Sequence, residues 1–280
     1  MTGRSLASTN REDPMMRPFL PITRAALIAL AALLPLAGAA RAADIRVVSS
    51  GGFAAAYRVL APEFERRTGH HLISGWGPSM GETQDAVPQR LARGEPIDVV
   101  IMVGYALERL VEAGKVAPAD HTDLARSGIG VVVREGAPVP DVGSVEALRR
   151  ALLAAKSVAY SDSASGVYIE RQMFRRMGIE AEMRGKARMI PAEPVGRVVA
   201  RGEAEIGFQQ ISELKPIPGI ALAGPLPEGV QQVTVFSAGV LAASPEAEAA
   251  RALVRFLASP EAATAIRESG MEPVHAAAHD

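Results

Sequence analysis

Residues 157–178 read SVAYSDSASGVYIERQMFRRMG, and this stretch decides the fold class. A short apolar run from Val158 to Tyr160 leads into the small and polar residues Ser161 to Ser165, after which apolar residues recur with helical spacing. The pattern predicts a strand, a hydroxyl-rich loop and the start of a helix. The first amides of a helix lack partners within it and lie at the positive end of its dipole, so this junction can bind an anion. Serine is also a favoured helix cap, which is the simpler interpretation of this loop taken alone.

The same alternation of strand and helix patterns continues along the chain. Strands are predicted at 45–48, 71–76, 97–103, 128–133, 158–160, 187–190, 204–210 and 230–243. Helices are predicted at 54–67, 87–93, 106–112, 145–155, 193–203, 245–258 and 260–269. Strands separated by helices of this length indicate an α/β fold with mostly parallel sheets flanked by helices.

Two features favour two lobes over one doubly wound sheet. Polar turn material at 118–127 separates two sets of strands and helices, and the late strand 230–243 is followed by helices that would pack on the first set. We therefore predict lobe one at 44–126 plus 231–280, and lobe two at 127–230. A single doubly wound sheet has the same local pattern and stays as the alternative.

The beginning of the chain has the pattern of a secretory signal peptide. Arg17 and Arg24 flank a short positive region, residues 25–40 are apolar, and Ala40-Arg41-Ala42 offers small residues for cleavage. The sequence thus predicts a signal peptide at 1–42 and a periplasmic protein, with an N-terminal membrane anchor as the alternative. Proline interrupts the apolar run, which is shorter than the roughly 20 residues that a spanning helix needs.

Composition excludes several kinds of partner and chemistry. Cleavage after residue 42 removes five arginines and two acidic residues, which leaves 25 basic and 29 acidic residues. This acidic balance argues against nucleic acid or an anionic membrane as the partner. The chain contains no cysteine, which excludes a lipoprotein anchor, disulfides and thiolate chemistry.

Three predicted strand-to-helix loops carry serine or glycine and no basic residue. They lie at 49–52, 77–81 and 161–166. In open α/β sheets, ligands bind at the carboxyl ends of the strands, where these loops lie. Their combination predicts a cleft for an anion or another small molecule.

The sequence contains little evidence for a known catalytic motif. No nucleophile elbow, zinc-protease motif or phosphate-binding loop is present, and the five histidines lack metal-ligand spacing, so we expect neither metal nor cofactor. Ser212-Glu213-Leu214-Lys215 matches the S-x-x-K motif of penicillin-interacting enzymes. The companion motifs are missing and Pro216 follows at once, where those enzymes need a helix. A secreted serine hydrolase that uses Ser212 and Lys215 is therefore a minor alternative.

The order of these segments resembles the periplasmic substrate-binding proteins of ABC importers with type II topology, and among them the molybdate-binding family. The resemblance covers about residues 44–274. The segments that show the resemblance are IRVVSSGGFAAAYRVLAPEFERRTGH, GPSMGETQDAVPQRLARGEPIDVVIMV, YSDSASGVYIERQMF, VVARGEAEIGFQQ and FLASPEAATAIRESG. Departures from the family pattern are Gly52 in place of a hydroxyl, an additional hydroxyl at Ser165, and Gln210 where the family has tyrosine.

The resemblance implies a monomer whose two lobes close over a tetrahedral oxyanion, held by serine hydroxyls and backbone amides, and deliver it to an ABC permease. On this basis we expect a solute-binding protein that performs no chemical step. A small organic carboxylate is the alternative ligand. Either Gln209 or Gln210 is expected to face the cleft, with Gln210 favoured near the hinge. The predicted binding residues are Ser50, Gly51, Ser79, Ser163, Ser165, Gly166 and Gln210.

Overall fold

The computed structural model describes residue 2 and residues 41–275. The predicted signal peptide, at 1–42, lies almost wholly outside the described residues. Among the residues that are described, no helix is both long and apolar enough to cross a membrane.

The first sheet has six strands in the order β11-β4-β10-β3-β1-β2. These strands are β1 Asp44–Ser49, β2 His71–Trp76, β3 Val99–Val103, β4 Val116–Ser127, β10 Thr234–Leu241 and β11 Glu272–Pro273. The helices that accompany them are α1 Gly51–Thr68, α2 Val87–Ala92, α3 Gly104–Glu112, α10 Ala247–Leu257 and α11 Ala263–Glu268. β1 pairs in parallel with β2 and β3, so that Ser49 lies opposite both Trp76 and Ile101 at the carboxyl ends.

The second sheet has five strands in the order β7-β6-β8-β5-β9. These strands are β5 Ile129–Arg134, β6 Val158–Ser161, β7 Ala187–Ile190, β8 Ile206–Gln210 and β9 Ile220–Pro225. The helices of this part are α4 Val145–Ala154, α5 Ala164–Tyr168, α6 Phe174–Arg176, α7 Glu180–Met183, α8 Val195–Ala200 and α9 Ile211–Leu214. A π-helical turn, Ile169–Met173, joins α5 to α6.

The two-lobed α/β fold is confirmed. β1 pairs in parallel with β2 and β3, and β6 pairs in parallel with β7 and β8, as expected. β10 runs antiparallel to β3 and β4, and β5 runs antiparallel to β8 and β9, so each sheet is mixed. The chain leaves the first sheet after β4 and returns to it at β10. The residue limits of the two lobes, 44–126 plus 231–280 and 127–230, stay a prediction.

Two strands lie where the sequence predicted turns. β4 covers the polar stretch 118–127. Its Leu124 and Ala125 are buried in the core of the first lobe, while most of its other positions are accessible, so the sequence there has the composition of a turn. β9 lies within the segment 216–227, whose prolines and glycines predict an irregular connection, and its position at the edge of the sheet tolerates Pro225. Both strands are stabilised by pairing with distant segments, which local patterns do not report.

Each lobe has its own hydrophobic core. Phe53, Tyr57 and Phe64 from one face of α1 pack on the fully buried β3 in the first lobe. The second lobe holds two buried clusters, one around Phe208 and the other around Val198. Burying one such side chain contributes about 1.5–3 kcal/mol.

Candidate functional site

A cleft of about 340 Å³ lies at the carboxyl ends of β1, β2, β3, β6 and β8, between loops of the two lobes. This volume suits a small metabolite. The first lobe contributes Ser50, Gly51, Gly52, Trp76, Gly77, Pro78, Ser79, Thr83, Asp85, Val103 and Phe236. The second contributes Ser161, Asp162, Ser163, Ala164, Ala192, Glu193, Pro194, Gln209, Gln210 and Glu213.

Ser50 precedes α1 and directs an unused hydroxyl at the cleft. Its side chain makes no capping hydrogen bond, and its Oγ is buried without a partner among the described residues. Gly51 and Gly52 form the first turn of α1, whose leading amides have no acceptor within the helix. The hydroxyl and the helix N-terminus together favour a negatively charged group.

Ser79 adds a second hydroxyl from the first lobe. Its Oγ accepts a hydrogen bond from the Val103 amide at 2.9 Å, which fixes the oxygen and leaves its proton available to a ligand. The loop that carries Ser79 closes tightly at Gly77, since a Cβ there would lie 1.8 Å from the Asp85 carbonyl oxygen. The serine is therefore held on a rigid support.

The loop 161–166 brings three hydroxyls together. Ser161 Oγ lies 2.8 Å from Ser163 Oγ and 3.0 Å from Ser165 Oγ. Ser163 precedes α5 but makes no side-chain capping bond, so the simple capping role is not realised. Ser161 and Ser163 line the cleft, whereas Ser165 and Gly166 lie behind them. A Cβ on Gly166 would lie 1.5 Å from the Ser161 carbonyl oxygen, so this glycine lets the loop fold back.

Both glutamines line the cleft and also brace it. Gln209 Oε1 accepts from the Val195 amide at 2.9 Å and so caps α8. With its amide oriented to satisfy all its neighbours, Gln210 donates to the Ser127 and Gly128 carbonyls at 3.2 Å and accepts from Thr234 Oγ1 at 2.9 Å. Gln210 thereby ties β8 to both segments that cross between the lobes.

Glu213 was not predicted as a functional residue, because in the sequence it stands only as a spacer within the S-x-x-K match. It lies in α9, just after the carboxyl end of β8, and that position was the available signal. Its Oε2 is shielded from solvent and has no hydrogen-bond partner among the described residues. Burial raises the pKa of Glu213 to about 7; the Gln209 side chain and the Gln210 backbone lower that pKa in part, and the charge of Asp162 raises it.

Three further carboxylates line the cleft and are held differently. Asp162 Oδ2 accepts from the Ala192 amide at 3.0 Å. Glu193 forms a bidentate pair with Arg201 at 2.7 and 2.9 Å, and hydrogen bonding by this guanidinium lowers the pKa of Glu193. Asp85 is exposed beside Arg90. In the described part of the chain, no lysine or arginine is among the lining residues.

The residues of the minor hydrolase alternative do not meet. Ser212 is fully buried with its Oγ 3.5 Å from Ser127 Oγ, whereas Lys215 Nζ donates to the Glu268 carbonyl at 2.6 Å. Neither side chain lines the cleft. The S-x-x-K match is therefore a coincidence of spacing within the short helix α9.

A family model described as bacterial extracellular solute-binding protein matches residues 45–272. The chain belongs to this family. The predicted resemblance is thereby confirmed. Among the solved structures that this solute-binding protein resembles is the periplasmic molybdate-binding protein of Azotobacter vinelandii, with a TM-score of 0.64, 20% identity, and coverage of 81% of this chain and 98% of the other.

Two sequence relatives of this solute-binding protein are named for different functions. The aconitate isomerase of Pseudomonas sp is 50% identical over 93% of this chain and 99% of the relative. The molybdate-binding protein ModA of Azotobacter vinelandii is 26% identical over 87% of this chain and 95% of the relative. The isomerase overturns our expectation of a protein without a chemical step, because half of its aligned residues are identical over nearly the full chain and it is named as an enzyme.

Proposed function

We propose that this protein is an isomerase acting on aconitate or a closely related unsaturated polycarboxylate, which it binds in the cleft between the lobes. The observation that carries the proposal is the 50% identity to an aconitate isomerase along almost the whole chain. The ligand is then an organic carboxylate, which was the alternative to molybdate in the sequence analysis.

The chemistry required is a change of geometry at a carbon–carbon double bond. Addition and elimination of a thiol would permit rotation, but the chain contains no cysteine. An allylic proton shift achieves the same result. A base removes a proton from the methylene carbon, the negative charge spreads over the allylic system and its carboxylates, and a proton returns to the former vinylic carbon. Cis and trans isomers then differ only in the conformation in which the intermediate is reprotonated.

The cleft offers donors for such a substrate. Ser50, Ser79 and the first turn of α1 would bind one carboxylate, and Ser161 with Ser163 would bind another from the second lobe. Ser165 and Gly166 would shape that second group of donors, and Gln210 would brace the hinge. Fixed donors also stabilise the charge that develops when the proton is removed, which is the larger part of catalysis in many enzymes.

A transport role is the second candidate. The molybdate-binding relative supports a protein that captures a small anion. The resemblance to the binding proteins of ABC importers supports delivery of that anion to a permease. The family description and the predicted signal peptide support a location outside the cytoplasm, in the periplasm. One solute-binding fold can serve both isomerisation and transport. Evidence for one activity therefore does not exclude the other, and each needs its own test.

The deciding experiment incubates the purified protein with cis-aconitate and, separately, with trans-aconitate, and follows both isomers by proton NMR. Interconversion to the same equilibrium mixture from either side supports the proposal. A thermal-shift series with molybdate, sulfate and both aconitates runs in parallel, since a hundredfold excess of ligand over Kd stabilises by about 2.7 kcal/mol. Stabilisation by molybdate without any isomerisation would favour the oxyanion-binding candidate.

A further inference from the structure

The environment of Glu213 is unlike that of every other carboxylate in the cleft. One of its oxygens is shielded from water and unpaired among the described residues, while the other lies against Gly51 at the N-terminus of α1. The shielded oxygen has lost hydration without gaining a hydrogen bond in return, which is costly unless the group has a use.

We propose that Glu213 is the catalytic residue that carries the proton during isomerisation, an assignment that rests on the proposed function. The Glu213 carboxylate accepts the proton from the substrate methylene. The electron pair of the broken C–H bond forms the new double bond, and the electron pair of the old double bond is left on the former vinylic carbon, as part of an allylic carbanion. The neutral Glu213 then returns its proton to the former vinylic carbon. The enzyme ends in its starting state, and no oxidant or further reactant is needed.

The other cleft carboxylates are less suited to this role. Glu193 is held by Arg201 and has a lowered pKa, Asp162 is engaged by the Ala192 amide, and Asp85 is exposed. A group that alternately takes and returns a proton works best when its pKa lies near the working pH. The raised pKa of Glu213 agrees with that requirement.

The test compares Glu213→Gln with the wild type and with Glu146→Gln, an exposed carboxylate on α4. We expect Glu213→Gln to keep thermal stabilisation by trans-aconitate but to lose isomerisation by a factor of roughly 100 or more. In deuterated water, Glu213→Gln should lose whatever exchange of the methylene protons the wild type shows. Glu146→Gln should match the wild type in both respects.

The pH profile separates a catalytic role from a structural one. Wild-type kcat/KM should rise with pH through about 7, because the Glu213 carboxylate must be ionised to accept a proton. Asp162 is the charged neighbour of Glu213, and uncharged groups of α1 and β8 lie on its other sides. Glu213→Asp should keep such a pH limb at a reduced rate and serves as the test should the glutamine variant not fold. Isomerisation by Glu213→Gln within threefold of the wild type would overturn the assignment. A wild type that neither isomerises nor exchanges aconitate would instead overturn the proposed function, and the assignment with it.

Discussion

Glu213 lies against the backbone of Gly51, so that a Cβ at position 51 would fall 2.0 Å from Glu213 Oε1. Gly51 begins α1 beside the first sheet, whereas Glu213 belongs to α9 beside the second. The contact therefore brings a partly buried carboxylate from one lobe to a helix N-terminus of the other. It depends on the absence of a side chain at residue 51.

Gly51→Ala should reduce catalysis more than stability. The new methyl group would collide with the end of a flexible side chain, which can turn away at low cost, rather than with backbone. A displacement of about 1 Å at a reacting group can cost on the order of a hundredfold in rate. We expect kcat for aconitate isomerisation to fall by roughly ten- to a hundredfold while Tm changes little.

Gly185→Ala is the matched control, since a Cβ at Gly185 would meet no atom within 4 Å. This variant should keep wild-type kcat. Equal kcat in Gly51→Ala and the wild type would show that the position of the Glu213 carboxylate is unimportant for the rate.

Ser50→Ala and Ser144→Ala should separate binding from stability. Ser50 Oγ is buried and unpaired among the described residues, so its loss removes a ligand donor at little structural cost and should weaken aconitate binding roughly tenfold or more. Ser144 instead caps α4 by accepting from the Ala147 amide, and its loss should cost about 1 kcal/mol of stability with unchanged affinity. Calorimetric titration and thermal melts measure both quantities; the reverse pattern would contradict this interpretation.

Gly166→Ala should be far more destructive than Ser165→Ala. A methyl group at residue 166 would collide with the Ser161 carbonyl oxygen, which is backbone, at a cost of about 3 kcal/mol. We expect a Tm lower by roughly 5–10 °C. Ser165→Ala should leave Tm nearly unchanged but weaken binding a few-fold, because Ser165 orients the Ser161 hydroxyl at 3.0 Å. Unaltered affinity in Ser165→Ala would reduce that serine to a packing residue.

The raised pKa of Glu213 predicts a specific dependence of stability on pH. Burial raises this pKa from 4.5 to about 7, so the folded state favours the protonated form. That stability is fully present below pH 4.5 and is lost as the pH rises through about 7. Glu213→Gln removes the penalty, so its advantage over the wild type should grow between pH 5 and pH 8 to at most about 3 kcal/mol. Chemical denaturation at both pH values tests this, and a constant difference would contradict it.

Local patterns predicted most of the regular structure but not all of the pairing. The strands at 71–76 and 187–190 and the helix at 145–154 follow from apolar periodicity and caps that lie within a few residues of each other. β4 and β9 escaped prediction because their stability comes from strands that are distant in sequence. For the same reason, the combination of parallel and antiparallel pairs in each sheet could be determined only from the strand pairing in the structure.

The sequence was enough to predict the α/β class, the family resemblance and the loops that supply hydroxyls, because strand ends, glycines and serines form recognisable patterns over short distances. It could not reveal that Ser165 is buried and does not line the cleft while Ser161 does, since that difference depends on how the loop folds back over Gly166. Only the tertiary structure placed Glu213 beside Gly51 and shielded one of its oxygens from water. A carboxylate becomes a proton carrier through its surroundings, and those surroundings come from segments 162 residues apart in the chain.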